Sequence, residues 1–124
     1  MSVLLADFQQ RVGQRLGIVR ASEPLSVEDA ELILAAYVSL WHELNAHDLT
    51  NWAPTDAVPT YVSEIMVGMT AARLVDEFEL PEPRRSSILV QSSFGMATPT
   101  PDERRLRRLM AVPQFDDELQ SDYF

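Results

Sequence analysis

The 124-residue sequence predicts an all-α domain: a small bundle of four to five helices over residues 1–112, with an extended C-terminal arm over 113–124. Three observations predict it. Apolar residues recur at steps of three or four in successive segments, the period of a helix laid against a core. Capping and stopping residues stand at the ends of those segments. No run alternates apolar and polar residues as a half-buried strand requires, and no internal repeat is present. A chain of this length suits one domain, which buries roughly two-thirds of its unfolded surface.

The first segment places Leu5, Phe8, Val12 and Leu16 at helical spacing, predicting an amphipathic helix from about Val3 to Arg15. Gly17 is placed to end it, because glycine takes the left-handed conformation after a last turn at no steric cost. After the link "RASEPL", Ser26 and Asp29 in "SVED" resemble a capping box, with Asp shorter than the usual Glu or Gln. The helix it opens carries Val27, Ala30, Ile33, Tyr37, Trp41 and Leu44 on its apolar side and runs to about Ala46. "HDLTNWAPTDAVPT" is the turn that follows, with Asp56 expected to cap the next helix and Pro59 tolerated in its first turn.

From Tyr61 to Phe78 the apolar residues Val62, Ile65, Met66, Val67, Met69, Ala72, Leu74 and Val75 lie on nearly every side. A helix apolar all round is central in a bundle or sandwiched between subunits. The expectation is that copies of the chain or a partner protein cover it, with Tyr61, Ile65, Met69 and Ala72 as inter-subunit packing positions. Gly68 and the small Thr70, Ala71 and Ala72 let a neighbouring helix come close.

"ELPEP" ends that helix, and a weaker one follows over about Arg84 to Met96, with Ile88, Leu89 and Phe94 as its apolar residues. "ATPTPDE" is a break and a new start: Thr100 as cap, Pro101 at the first position, Glu103 three residues after the cap. "DERRLRRLMA" has acids first and arginines later, the order that the helix dipole favours. Pro113 stops it, and "QFDDELQSDYF" reads as the arm.

The charge is -9 overall and unevenly spread. Residues 1–83 hold four Arg against thirteen Asp and Glu; residues 84–112 hold six Arg against Asp102 and Glu103; the last twelve hold four acids and no base. An acidic–basic–acidic order suits self-association or docking on a charged partner, and it argues against a protein that coats nucleic acid. No apolar run is of membrane length. Acid and polar residues interrupt "MSVLLADFQQRVGQRL" where a signal peptide needs a continuous apolar stretch, and cysteine is absent, so synthesis in the cytosol is expected.

One stretch invites a metal reading. "HELNAH", residues 42–47, resembles the zinc-protease pattern H-E-x-x-H with the second histidine one place late. Helical residues advance about 100° each, so histidines five apart stand about 140° from each other and do not grip one ion on a regular helix. Glu43 and His47 reach each other at i, i+4, but two ligands do not make a zinc site. "QSSFG" around Ser92 and Ser93 lacks the first glycine of a nucleophile elbow, and glycines 13, 17, 68 and 95 are too scattered for a phosphate loop. Asp76, Glu77, Glu79 and Glu82 read as a solvated acidic face. No catalytic residue, metal ligand or cofactor is expected, and a non-enzymatic role follows.

The helix bearing Arg104, Arg105, Arg107 and Arg108 is basic and amphipathic, with Leu106, Leu109 and Met110 on its apolar side. It reads as a docking helix for an acidic protein surface; the alternatives are a small DNA-binding packaging or regulatory protein that uses the same arginines, and a solvated helix that only closes the bundle. For the arm, a disordered tail is the default after a proline. Against it, Phe115, Leu119, Tyr123 and Phe124 are anchors that a purely solvating tail does not need, and an arm that orders on a partner explains them.

The stretch "RLGIVRASEPLSVEDAELILAAYVSLWHEL" resembles the opening of the phage head-to-tail adaptor family, also called head completion or packaged-DNA stabilisation proteins. The shared features are a first helix ending in Leu16, Gly17 and Ile18, a short loop, and a capped helix with an apolar end at Trp41. "YVSEIMVGMTAARLVDEFELP" is similar to the family's central helix, and the likeness covers about residues 4–97. The resemblance implies a homo-oligomeric ring, usually of twelve subunits, beneath the portal protein at the head–tail junction of the virion. Such a ring extends the channel through which DNA passes without specific binding, and it meets a downstream tail or nozzle protein on its other side. It also implies that the C-terminal segment, here Arg104 to Phe124, engages the portal.

Overall fold

The amphipathic segments do fold into helices. In the computed structural model the order is β1 (Ser2–Val3), α1 (Leu5–Leu16), α2 (Val27–Ala46), β2 (Val58–Pro59), α3 (Thr60–Leu74) and α4 (Arg84–Ser92), followed by α5 over residues 101–111. The structure describes residues 1–20 and 22–111. The expected arm over 113–124, with Phe115, Leu119, Tyr123 and Phe124, lies outside the described residues. No helix of the described residues is long and apolar enough to cross a membrane.

Local chemistry sets the ends of the first two helices. Gly17 stands at φ 80°, and its N–H returns to the carbonyls of Gln14 and Gly13. Ser26 Oγ accepts the N–H of Asp29 at 3.2 Å, which starts α2 where the sequence places it. Beyond α2 the chain is pinned by indoles. Trp41 Nε1 donates to the carbonyl of Trp52 at 2.9 Å. Trp52 Nε1 donates to the Tyr37 hydroxyl at 2.8 Å, and the Phe8 ring tilts against Tyr37 with centroids 4.7 Å apart.

The start of α3 differs from expectation. Asp56 does not cap it; Pro59 holds the cap position in extended conformation, with no side-chain bond. The buried Val58 and the half-buried Pro59 instead pair antiparallel with Val3 and Ser2, in the register Ser2 with Pro59 and Val3 with Val58. The chain's first residues are therefore a short strand rather than the beginning of α1. Its edge is sealed by the Thr60 N–H, which donates to the Met1 carbonyl at 3.2 Å.

The largest correction concerns what covers α3. One copy of the chain hides it: α1, α2, α4 and both strands pack around it, and Val62, Ile65, Met66, Val67, Met69, Ala71 and Leu74 are all buried. Ile65 and Met69, expected at an inter-subunit surface, are each 1 % exposed. Burying a side chain of this size contributes about 1.5–3 kcal/mol, so the all-round apolar pattern marks the centre of the bundle. The close approach at Gly68 is real, but α4 of the same chain makes it. A Cβ on Gly68 would stand 2.5 Å from Ser92 Oγ.

Two helices are shorter than their patterns. α3 stops at Leu74 and turns over 75–79, with Glu79 in the left-handed region at φ 49°. α4 stops at Ser92 instead of about Met96 because Ser93 is extended, its carbonyl accepting from Thr100 Oγ1 at 2.7 Å.

Candidate interaction surfaces

The cationic face of α5 begins with the way its N-terminus is fastened. Thr100 Oγ1 accepts the Glu103 N–H at 3.4 Å, and Pro101 opens the helix where its missing N–H costs nothing. Both acids of the first turn are buried, Asp102 and Glu103. Asp102 Oδ2 accepts from Ser92 Oγ at 2.6 Å and Oδ1 from Gln91 Nε2 at 3.1 Å. Glu103 Oε1 accepts the Gly95 N–H at 3.0 Å, and Oε2 takes Arg107 Nε at 3.2 Å. The acids of α5 thus face α4 and its exit, near the positive end of their own helix dipole.

This arrangement divides the four arginines expected to dock a partner. Arg107 is exposed but engaged: it pairs with Glu103, and its guanidinium lies over the Phe94 ring, 5.8 Å from the centroid. Arg104, Arg105 and Arg108 are exposed, and among the described residues none makes an ion pair. Leu106 and Met110 are buried beneath them. The result is a cationic face on which Arg104, Arg105 and Arg108 have no acidic partner among the described residues.

A second basic surface was not foreseen. Arg15 and Arg84 line two adjoining depressions of about 490 and 530 Å³, the first shared with Arg11, Gln14, Glu64 and Val67. Arg84 Nη1 donates to the Arg15 carbonyl at 3.0 Å, satisfying one of the open carbonyls at the end of α1. Its guanidinium lies against Gly17, where a Cβ would meet Arg84 Cζ at 2.9 Å. Arg15 pairs with Glu64 at 3.2 Å on the open surface, a geometry worth at most about 1 kcal/mol. Arg11 is exposed and has no ion pair among the described residues. The hint in the sequence was Arg11 and Arg15, four apart on one helical face; nothing local announces that Arg84 joins them.

The remaining candidates are dispersed. Tyr61 is 45 % exposed, its hydroxyl accepting from Asn51 Nδ2 at 2.6 Å. Ala72 is half-buried and lines a cleft of about 290 Å³ with Leu40, Met69, Phe94 and the ion pair of Glu43 and Arg73. Of the four residues expected to pack between subunits, only Tyr61 and Ala72 offer any surface. In "HELNAH", Glu43 is occupied by Arg73, His47 stands edge-on to Phe94 at 5.5 Å, and His42 meets the Trp41 ring at 5.1 Å. Among the described residues no three His, Asp or Glu side chains are grouped to hold a metal ion. Asp76, Glu77, Glu79 and Glu82 are exposed, with Asp76 paired to Arg85.

With this geometry in hand, comparison of the chain with protein-family models, with curated proteins and with solved structures finds no match.

Proposed function

We propose that this chain is a structural adaptor that docks by charge on an acidic protein surface, and that its setting is the head-to-tail junction of a phage virion. In this reading it forms a ring with copies of itself beneath the portal protein and receives a tail component below. The observation that carries the docking is the face of Arg104, Arg105 and Arg108, exposed and unpaired among the described residues. In a chain of net charge -9, such a face attracts an acidic partner and steers its approach. The setting rests on the resemblance of residues 4–97 to the adaptor family. In this reading the face of Arg104, Arg105 and Arg108 on α5 is what meets the portal.

The same three arginines support one other reading, a small protein that binds DNA phosphates, and salt separates the two. Phosphate binding weakens steeply with added salt because each neutralised phosphate releases counterions. The test mixes the purified chain with duplex DNA, and separately with a phage portal protein, and follows both by sedimentation. Portal binding that is lost in the Arg104→Glu, Arg105→Glu, Arg108→Glu variant, with weak DNA binding, supports the adaptor. Strong, salt-sensitive DNA binding without portal binding overturns it.

A further inference from the structure

We infer that the Arg11–Arg15–Arg84 groove is the seat for residues 113–124 of a second copy of this chain. The inference rests on the assembly reading above and supplies the contact that α3, closed within one copy, does not. The groove has two characters. Its rim carries three guanidinium groups against the single carboxylate of Glu64, and its apolar lining is Val67, Pro83 and Ile88, of which Val67 and Ile88 are buried at its base. Segment 113–124 has the complementary pair of characters: Asp116, Asp117, Glu118 and Asp122 with no base, interleaved with Phe115, Leu119, Tyr123 and Phe124. Acids on an arginine rim with aromatics on an apolar lining is the pattern of a peptide held by charge and anchored by rings.

The fold argues for a second copy rather than the same one. α5 is fastened to the end of α4 and its exit, where Arg107 lies over Phe94 and Phe94 in turn meets His47 at the end of α2. The groove lies between α1 and the first turn of α4, whereas Asp102 of α5 is held at the last turn of α4 by Gln91 and Ser92. Thirteen residues follow Ala111; extended at about 3.3 Å per residue they reach roughly 40 Å, enough to cross to a neighbour of this size. A groove on one copy filled by the arm of the next is a head-to-tail contact. Repeated with closing rotation, such contacts make a ring.

The absence of cysteine permits a clean test in the full chain. Ser87→Cys is placed at the groove in one preparation, and Gln114→Cys or Ser121→Cys in the arm of another. Mixing under mild oxidation is expected to give a covalent heterodimer as the main product. Arg11→Glu in the groove chain should lower its yield several-fold, as should high salt, without moving the melting temperature. If the double variants Ser87→Cys with Gln114→Cys or Ser121→Cys close within one chain and the mixtures give no heterodimer, the second copy is overturned as occupant. If neither arm position traps in any format, the groove itself is overturned. Portal binding is read separately, so a trap in a chain that ignores the portal sinks the adaptor setting and leaves this contact standing.

Discussion

Ser92 Oγ donates to Asp102 Oδ2 across 2.6 Å in the buried seam between α4 and α5, directly over Gly68 of α3. The three positions form one fitting. For it to close, α3 must lack a Cβ there, α4 must bring a hydroxyl, and α5 must bring an acid. This seam, together with the Glu103–Gly95 bond and the buried Leu106, orients the helix that carries Arg104, Arg105 and Arg108.

Gly68→Ala should therefore cost more than a helix substitution usually does. The new carbon would stand 2.5 Å from Ser92 Oγ and 2.8 Å from Asp102 Oδ2. Alanine in the middle of a helix normally gains about 1 kcal/mol over glycine; here overpacking should turn that into a net loss of about 1–3 kcal/mol. Chemical denaturation of the two proteins checks it. A stabilised Gly68→Ala protein would mean that the seam is not closed as described.

Tyr37 gives a prediction in pH. Burial raises its pKa above the ordinary 10.0; the hydrogen bond from Trp52 acts to lower it, and the charge of Asp56 adds a smaller rise. The folded state thus favours the neutral phenol. Its contribution to stability is complete below the unfolded value and is lost as pH rises through the raised folded value. Phenolate absorbance should show one tyrosine ionising late, together with alkaline loss of fluorescence structure around Trp52. Tyr37→Phe should remove the late phase and cost about 1–3 kcal/mol at neutral pH, because Trp52 Nε1 loses its acceptor.

These sites were legible in the sequence to very different degrees. Ser26 and the spacing from Ile33 to Leu44 gave α2 its bounds, since a cap and a periodic face are local properties. Thr100, Pro101 and Glu103 announced the start of α5 for the same reason. The covering of α3 was not legible: all-round apolar composition says that a helix is buried, and is silent on whether its own chain or a copy buries it. The β1–β2 pair is two residues long on each side, too short for alternation to register. The groove was invisible because Arg15 and Arg84 are 69 positions apart and only the docking of α4 beside α1 joins them. Arg107 looked equivalent to its three neighbours until Phe94, set by the turn after α4, claimed it.

The role of α3 is tested by truncating its side chains. Ile65→Ala and Met69→Ala should each cost about 2–5 kcal/mol, the range for emptying a packed core position. That loss should be the same at low and high protein concentration, because the contacts are made within one copy. Tyr61→Ala, at an exposed position, should cost under about 1 kcal/mol. A loss for Ile65→Ala or Met69→Ala that disappears on dilution would return both residues to a subunit interface.

The four arginines of α5 should separate by function rather than by position in the sequence. Arg107→Ala removes the bond to the buried Glu103 and the contact with Phe94. It should destabilise the domain by about 1–2 kcal/mol, the cost of leaving a mostly buried carboxylate with one partner fewer. Arg104→Ala, Arg105→Ala and Arg108→Ala should each leave the melting temperature within a degree or so, since an exposed unpaired guanidinium contributes little to folding. Their effect should fall on the rate of association with an acidic partner, and should fade as salt shortens the screening length to about 8 Å near physiological ionic strength. Stopped-flow association at low and high salt, set beside thermal melts of the same four proteins, reads both quantities. An Arg107→Ala protein that folds normally but associates slowly would place that side chain on the docking face with the others.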